Sequence, residues 1–149
     1  MRAVVQRVHG AKVVVQGEVT GEIGRGLLVY LGAAEGDGEA DLDYMVNKIE
    51  GLRVFPDEED RMSRSVVDVG GAILVVSQFT LFGDVRRGRR PSFDGAAPPD
   101  HARQLYEALV ERLRARGRVV ETGRFRAMME VHSSGDGPVT ILLDSRKLF

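Results

Sequence analysis

Two stretches, Leu27-Leu28-Val29-Tyr30-Leu31 and Ala72-Ile73-Leu74-Val75-Val76-Ser77, carry apolar side chains at successive positions where a half-buried strand would alternate them with polar ones. Successive side chains of a strand point to opposite faces. A run without polar alternation is therefore read as a strand covered on both faces, in the middle of its sheet. Gly24-Arg25-Gly26 leads into the first run and Gly70-Gly71 into the second, so each follows a turn. Upstream, Val4, Gln6 and Val8, then Lys12 to Gln16, are strand-favouring segments ended by Gly10 and by Gln16-Gly17, with Glu18 to Ile23 as a hairpin partner. Between Glu39 and Leu52 the period changes: Leu42, Met45, Val46, Ile49 and Leu52 recur at helical spacing with acids on the other faces, predicting an amphipathic helix. Pro98-Pro99-Asp100 opens a second helix with Ala102, Leu105, Leu109 and Leu113 on its apolar face, and Gly117 stops it. Strands over Val119 to Thr122, Met128 to Ser133 and Val139 to Asp144 finish the chain.

This order is β-rich with two helices inserted, without regular βαβ alternation. It predicts an α/β (α+β) fold: one domain over residues 1–149, with a mixed, partly barrel-like β-sheet and two main amphipathic helices. The length of 149 residues and 43% hydrophobic content suffice for one buried core. The stretch from Asp84 to Pro99 has no apolar period and reads as a long loop, of the kind that often carries function.

Composition removes several chemistries. There is no cysteine, hence no disulfide, thiolate nucleophile or cysteine-ligated zinc. His9, His101 and His132 lie far apart in sequence without metal-ligand spacing, so no metal is expected. Ser77 lacks the flanking glycines of a nucleophile elbow, and no phosphate-cradling glycine loop occurs, so no nucleotide cofactor is expected either. No stretch of signal-peptide or membrane-spanning character occurs, and a cytoplasmic protein without a membrane partner is expected. The net charge of −1 argues against a strong nonspecific grip on nucleic acid, but the charge is uneven. Residues 35–60 are dense in acids, whereas Arg86, Arg87, Arg89 and Arg90 fall close together and further arginines follow from Arg112 to Arg126. Either one basic face meets RNA, or these are ordinary solvated arginines. What remains as candidate chemistry is a set of short polar side chains, Ser77, Gln78 and Thr80, at the exit of a buried strand, with Phe79 and Phe125 as flat faces for a base. None is a strong acid or base at neutral pH, so the set suggests binding more readily than catalysis. Ser77 and Thr80 read equally well as strand-end capping groups.

Ser77-Gln78-Phe79-Thr80-Leu81 and Gly135-Asp136-Gly137-Pro138-Val139-Thr140 together resemble the two signature motifs of the D-aminoacyl-tRNA deacylase family, and the resemblance extends over essentially the whole chain. It implies hydrolysis of the ester joining a D-amino acid to the terminal adenosine of tRNA, and of glycine mischarged onto alanine tRNA. It implies a homodimer in which each site combines Ser77, Gln78, Phe79 and Thr80 of one subunit with Gly137 and a cis Pro138 of the other. That turn would exclude an L side chain, and the ribose 2′-hydroxyl of the tRNA would assist hydrolysis while the Phe79 and Thr80 amides face the developing oxyanion. Phe125 matches a position that stacks on the terminal adenine, Met129 lines the same pocket, and Arg7 helps hold the partner's glycine-proline turn. Two departures stand out: Gly135 replaces a usual asparagine, and Arg126-Ala127-Met128 follows Phe125 where glycine-alanine is usual. The competing readings are a non-catalytic RNA-binding module and an esterase with Ser77 or Thr80 as nucleophile.

Overall fold

In the computed structural model, which describes residues 1–149, the two apolar runs become neighbouring parallel strands, β3 (Gly26–Gly32) and β6 (Ala72–Ser77), paired from Gly26↔Ala72 to Leu31↔Ser77. Their lack of alternation has the expected cause. Leu28, Leu74 and Val76 face a small core with Val8, Val13 and Ile23, whereas Leu27, Val29, Ile73 and Val75 face a larger core beneath the helices. Fully burying one such side chain is worth about 2 kcal/mol, so a strand covered on both faces is among the most firmly held parts of a domain.

β1 (Arg2–Val15) is one strand of 14 residues where the sequence suggested two. Gly10 does not end it, because partners on both edges carry the pairing past the irregularity. On one edge it meets β3 from Arg2↔Gly32 to Val8↔Gly26 and then β2 (Glu18–Ile23) from Ala11↔Ile23 to Val15↔Glu18. On the other edge β8 (Glu130–Asp144) follows its whole length. β8 likewise joins the two strands expected at the C-terminal end into one. β7 (Val120–Thr122) pairs parallel with β6. β2 then bends against it: the Thr20 hydroxyl donates to the Thr122 carbonyl at 3.4 Å, and a Cβ on Gly21 would lie 2.3 Å from that same oxygen. Only glycine permits this approach, and it brings a mixed sheet close to barrel closure. A small ribbon, β4 (Phe55–Pro56) with β5 (Met62–Arg64), stands apart.

Helices α1 (Glu39–Gly51) and α2 (Pro99–Ala115) lie within a residue or two of their sequence signals. Leu42, Met45, Val46 and Ile49 of α1 and Leu105, Leu109 and Leu113 of α2 fill the larger core. The helices also pair their charges. Arg112 binds Glu39 and Asp43, Arg116 binds Glu50 at 2.5 Å, and Arg118 binds the same carboxylate at 3.2 Å. The acids of α1 and the arginines at and just beyond the end of α2 thus neutralise one another, and the broad basic face considered from sequence shrinks accordingly. No helix is long and apolar enough to cross a membrane.

Candidate active site

β6 delivers the first motif. Ser77 is its last residue, and the Gln78 N–H still donates to the Leu31 carbonyl at 2.8 Å before the chain tightens into a 3-10 turn, Phe79–Phe82. A Cβ on Gly32 would lie 2.7 Å from the Gln78 carbonyl oxygen, so glycine is what lets the shelf sit so close to β3. The turn is closed by Gly83 N–H donating to Thr80 at 3.0 Å. Such a turn leaves its first amides without internal acceptors, and here neither the Phe79 nor the Thr80 N–H donates within the chain. The Gln78 side-chain amide donates to Thr80 Oγ1, which frees the Thr80 hydroxyl proton for another acceptor. The sequence signal for this turn is weak, since Phe79 to Phe82 contains neither glycine nor proline.

Ser77, Gln78, Phe79 and Thr80 border a cavity of about 1000 Å³ that Phe125 and Met129 also line. Phe79 meets Phe93 edge-on at 5.0 Å between ring centres. Phe125 leans on Tyr106 at 5.7 Å, with the Arg103 guanidinium 5.6 Å from its ring centre. The Tyr106 hydroxyl donates to the Val75 carbonyl at 2.9 Å, tying this aromatic platform to β6. Burial pushes the Tyr106 phenol up to about 12, so it remains protonated and serves as a brace, not a base. Tyr106 was missed from sequence, although Ala102, Tyr106, Leu109 and Leu113 recur at helical spacing and would have put it on the buried face. Met129 folds over Gly123, where a Cβ would lie 2.6 Å from its sulfur. The charged side chains on the cavity wall are Glu35, Asp94 and Arg126, and no histidine lines it. His101 instead contacts the Asp37 carbonyl at 2.7 Å, His132 pairs with Glu130 at 2.9 Å, and His9 lies 3.7 Å from Asp136. Taken alone, the cavity offers a flat apolar platform beside unpaired backbone donors. This is a site suited to holding an aromatic base next to an oxygen that gathers charge.

The second motif lies elsewhere. β8 pairs Gly135 with Val8 and Thr140 with Gln6, so β8 spends five residues where β1 spends two, and Asp136 to Val139 are extruded as a bulge. At its tip the Gly137–Pro138 peptide bond is cis, Gly137 has φ +124°, and both residues are exposed. Arg7 braces the bulge from β1. Its Nη1 donates to the Val54 carbonyl at 2.6 Å and its Nη2 to Asp136 at 3.3 Å, so these bonds brace the turn of its own chain, where the family resemblance gave Arg7 the partner's turn. Its Nε is 3.1 Å from Asp136 but poorly aligned for a hydrogen bond. Arg7, Gly137 and Pro138 do not line the cavity. The structure therefore brings together six of the nine candidate residues and separates Arg7 and the glycine-proline turn from them.

Comparison with known proteins gives a concordant result. A family model described as D-Tyr-tRNA(Tyr) deacylase matches residues 4–144. The D-aminoacyl-tRNA deacylase of Symbiobacterium thermophilum is 61% identical over 100% of this chain and 99% of its own length. That of Koribacter versatilis is 59% identical over the full length of both. Among solved structures, one titled c-Myc DNA Unwinding Element Binding Protein superposes with a TM-score of 0.91 at 46% identity, covering 97% of this chain and 98% of that one. A probable eukaryotic D-amino acid tRNA deacylase shares the fold, with a TM-score of 0.79 at 20% identity over 95% and 97% of the two chains.

Proposed function

The chain belongs to the D-Tyr-tRNA(Tyr) deacylase family and hydrolyses the ester of D-aminoacyl-tRNA; on that premise we propose that its working site is shared between two copies of the chain. The observation that carries this reading is the separation of the two motifs: the Ser77–Thr80 shelf lines a cavity, whereas Gly137–Pro138 projects from β8, the edge strand of the sheet. In a homodimer the turn of one subunit enters the cavity of the other, and two-fold symmetry makes two such sites. Arg7 and Asp136 hold the entering turn from behind, within the subunit that supplies it.

In this arrangement the terminal adenine of the tRNA stacks on Phe125, with Met129 beside it. The ester carbonyl points at the Phe79 and Thr80 amides, which stabilise the oxyanion as it forms. The cavity wall carries no imidazole to act as a base, and the adjacent ribose 2′-hydroxyl assists the attack, the protein contributing orientation. Selection is steric: the backbone of the partner's Gly137–Pro138 occupies the volume an L side chain needs, a D side chain points away, and achiral glycine, including glycine on alanine tRNA, passes.

Subunit complementation tests the shared site. A Thr80→Ala chain and a Pro138→Ala chain, each impaired alone on D-tyrosyl-tRNA, are mixed after dissociation. Because half of the reassociated dimers are hybrids with one intact site, about a quarter of wild-type activity returns. A mixture no more active than its components rules the shared site out, and wild-type protein that releases tyrosine from neither D- nor L-tyrosyl-tRNA rules out deacylation itself.

A further inference from the structure

Beside the main cavity lies a second of about 520 Å³ whose wall contains no apolar side chain: Asp84, Arg86, Arg87, Arg90, Ser92 and Asp94. Asp94 borders both cavities, so the smaller opens next to the larger. The loop that carries it is closed by Asp84 and Ser92, which exchange backbone hydrogen bonds at 2.7 and 2.9 Å. Its far end is continuous with the shelf through Phe93, packed on Phe79.

Within this loop one arginine is structural and the others are not. Asp84 accepts the Arg86 backbone N–H at 3.0 Å and its guanidinium at 2.6 to 3.1 Å, and these bonds hold the Asp84 carboxyl down at about 2. Arg87, Arg89 and Arg90 are exposed and have no carboxylate, carbonyl or aromatic partner. Elsewhere the chain pairs its arginines readily, as the α1–α2 network shows. Arg53 apart, the remaining unpartnered arginines are Arg124 and Arg126, and Arg126 lines the main cavity. Of these unpaired arginines, Arg87 and Arg90 line the smaller cavity and Arg126 lines the larger one beside it. Like charges held this close repel, and an arriving polyanion relieves that repulsion while releasing counterions.

We infer that Arg87, Arg89 and Arg90 form a landing site for the RNA phosphodiesters that precede the aminoacylated nucleotide, with the smaller cavity as the groove in which the strand leaves the active site. This rests on the deacylase reading above, because it takes the main cavity as the seat of the terminal adenosine. The exposed guanidiniums match phosphate oxygens in charge and fork geometry, and a groove without apolar wall suits a solvated backbone instead of a base.

The test measures binding of uncharged tRNA by fluorescence anisotropy across a range of salt, for wild type, Arg87→Ala/Arg89→Ala/Arg90→Ala, the corresponding triple lysine variant, and Arg112→Ala/Arg116→Ala. The triple alanine variant is expected to bind about tenfold more weakly at low salt and to lower the slope of log affinity against log salt by about 2, as loss of three phosphate contacts predicts. The lysine variant retains most of the slope, since it keeps the charge, and Arg112→Ala/Arg116→Ala keeps it whole, since those cations are already paired. An unchanged slope in the triple alanine variant overturns the inference, as does an equal drop in the Arg112→Ala/Arg116→Ala control. Binding of uncharged tRNA does not depend on hydrolysis, so a wild-type protein that binds with the expected slope yet fails to deacylate counts against the proposed function and not against the loop.

Discussion

β6 and β8 each contribute one motif, and they are opposite kinds of strand. β6 is six residues long, paired on both edges and buried on both faces, and it ends directly in the Ser77–Thr80 shelf. β8 has 15 residues, a partner on one edge only, mostly exposed side chains, and a bulge that ejects Gly137–Pro138. The difference teaches where such a site takes its precision and where its reach. Groups that must hold a reacting oxygen within a fraction of an ångström sit at the end of a strand covered on both faces, whereas the element proposed to enter another molecule sits on a strand whose side chains are mostly exposed.

Substitutions on the two strands break or sharpen this contrast. The largest effect is expected from Leu74→Ala in β6, which empties a fully buried position between packed layers and should cost about 3 kcal/mol of stability in urea unfolding. A loss near zero would mean that β6 is not the rigid half. Gly32→Ala forces a methyl against the Gln78 carbonyl, for which about 2 kcal/mol is expected, together with a fall in deacylation beyond what the residual folded fraction explains.

Tyr106→Phe removes the hydroxyl that caps the Val75 carbonyl, and about 1 kcal/mol is expected. It also carries a signature in pH. The folded chain raises the Tyr106 phenol from 10.0 to about 12, so it binds that proton more tightly than the unfolded chain does. The associated stabilisation is complete below pH 10 and is lost as the pH climbs toward 12. Alkaline unfolding curves of wild type and Tyr106→Phe should therefore converge over that window, and parallel curves would refute the assignment.

On the β8 side, Asp136→Ala withdraws the carboxylate facing Arg7 but leaves the Val54 carbonyl in place, so a loss under about 1 kcal/mol is expected. Pro138→Ala is expected to move stability least, by less than about 0.5 kcal/mol, because the residue is exposed and packs against no core. Its effect should appear in function, as slower D-tyrosyl-tRNA hydrolysis and a narrowed ratio of D- to L-tyrosyl-tRNA hydrolysis. Unchanged discrimination would take the turn out of the selection step.

Much of this architecture was readable beforehand, for identifiable reasons. Leu27–Leu31 and Ile73–Val76 lacked alternation because both faces are covered, and α1 and α2 had apolar stripes with clear stop signals, so each was found nearly to the residue. Ser77 to Thr80, Phe125 and Met129 do meet in one cavity. Three features escaped. Gly10 looked like a terminator because a glycine weakens a strand locally, yet pairing with β8 across the irregularity outweighs that cost. Arg112 and Arg116, at the end of α2 and just beyond it, looked like part of a basic face because their partners are 66 to 73 positions away on α1. Tyr106 went unnoticed because its value lies in one hydrogen bond to another element.

The sequence by itself determined the periodic parts of this protein, the two-sided strands and the one-sided helices, because periodicity reports how many faces an element must bury. It also determined the identity of the two motifs, since those are local strings. Only the tertiary structure decided which charges are spent and which are free, and that the shelf and the glycine-proline turn stand apart in one chain. Both depend on which distant residues the sheet and helices bring into reach, and Coulomb and hydrogen-bond partners are chosen by distance in space, of which separation along the chain carries no record.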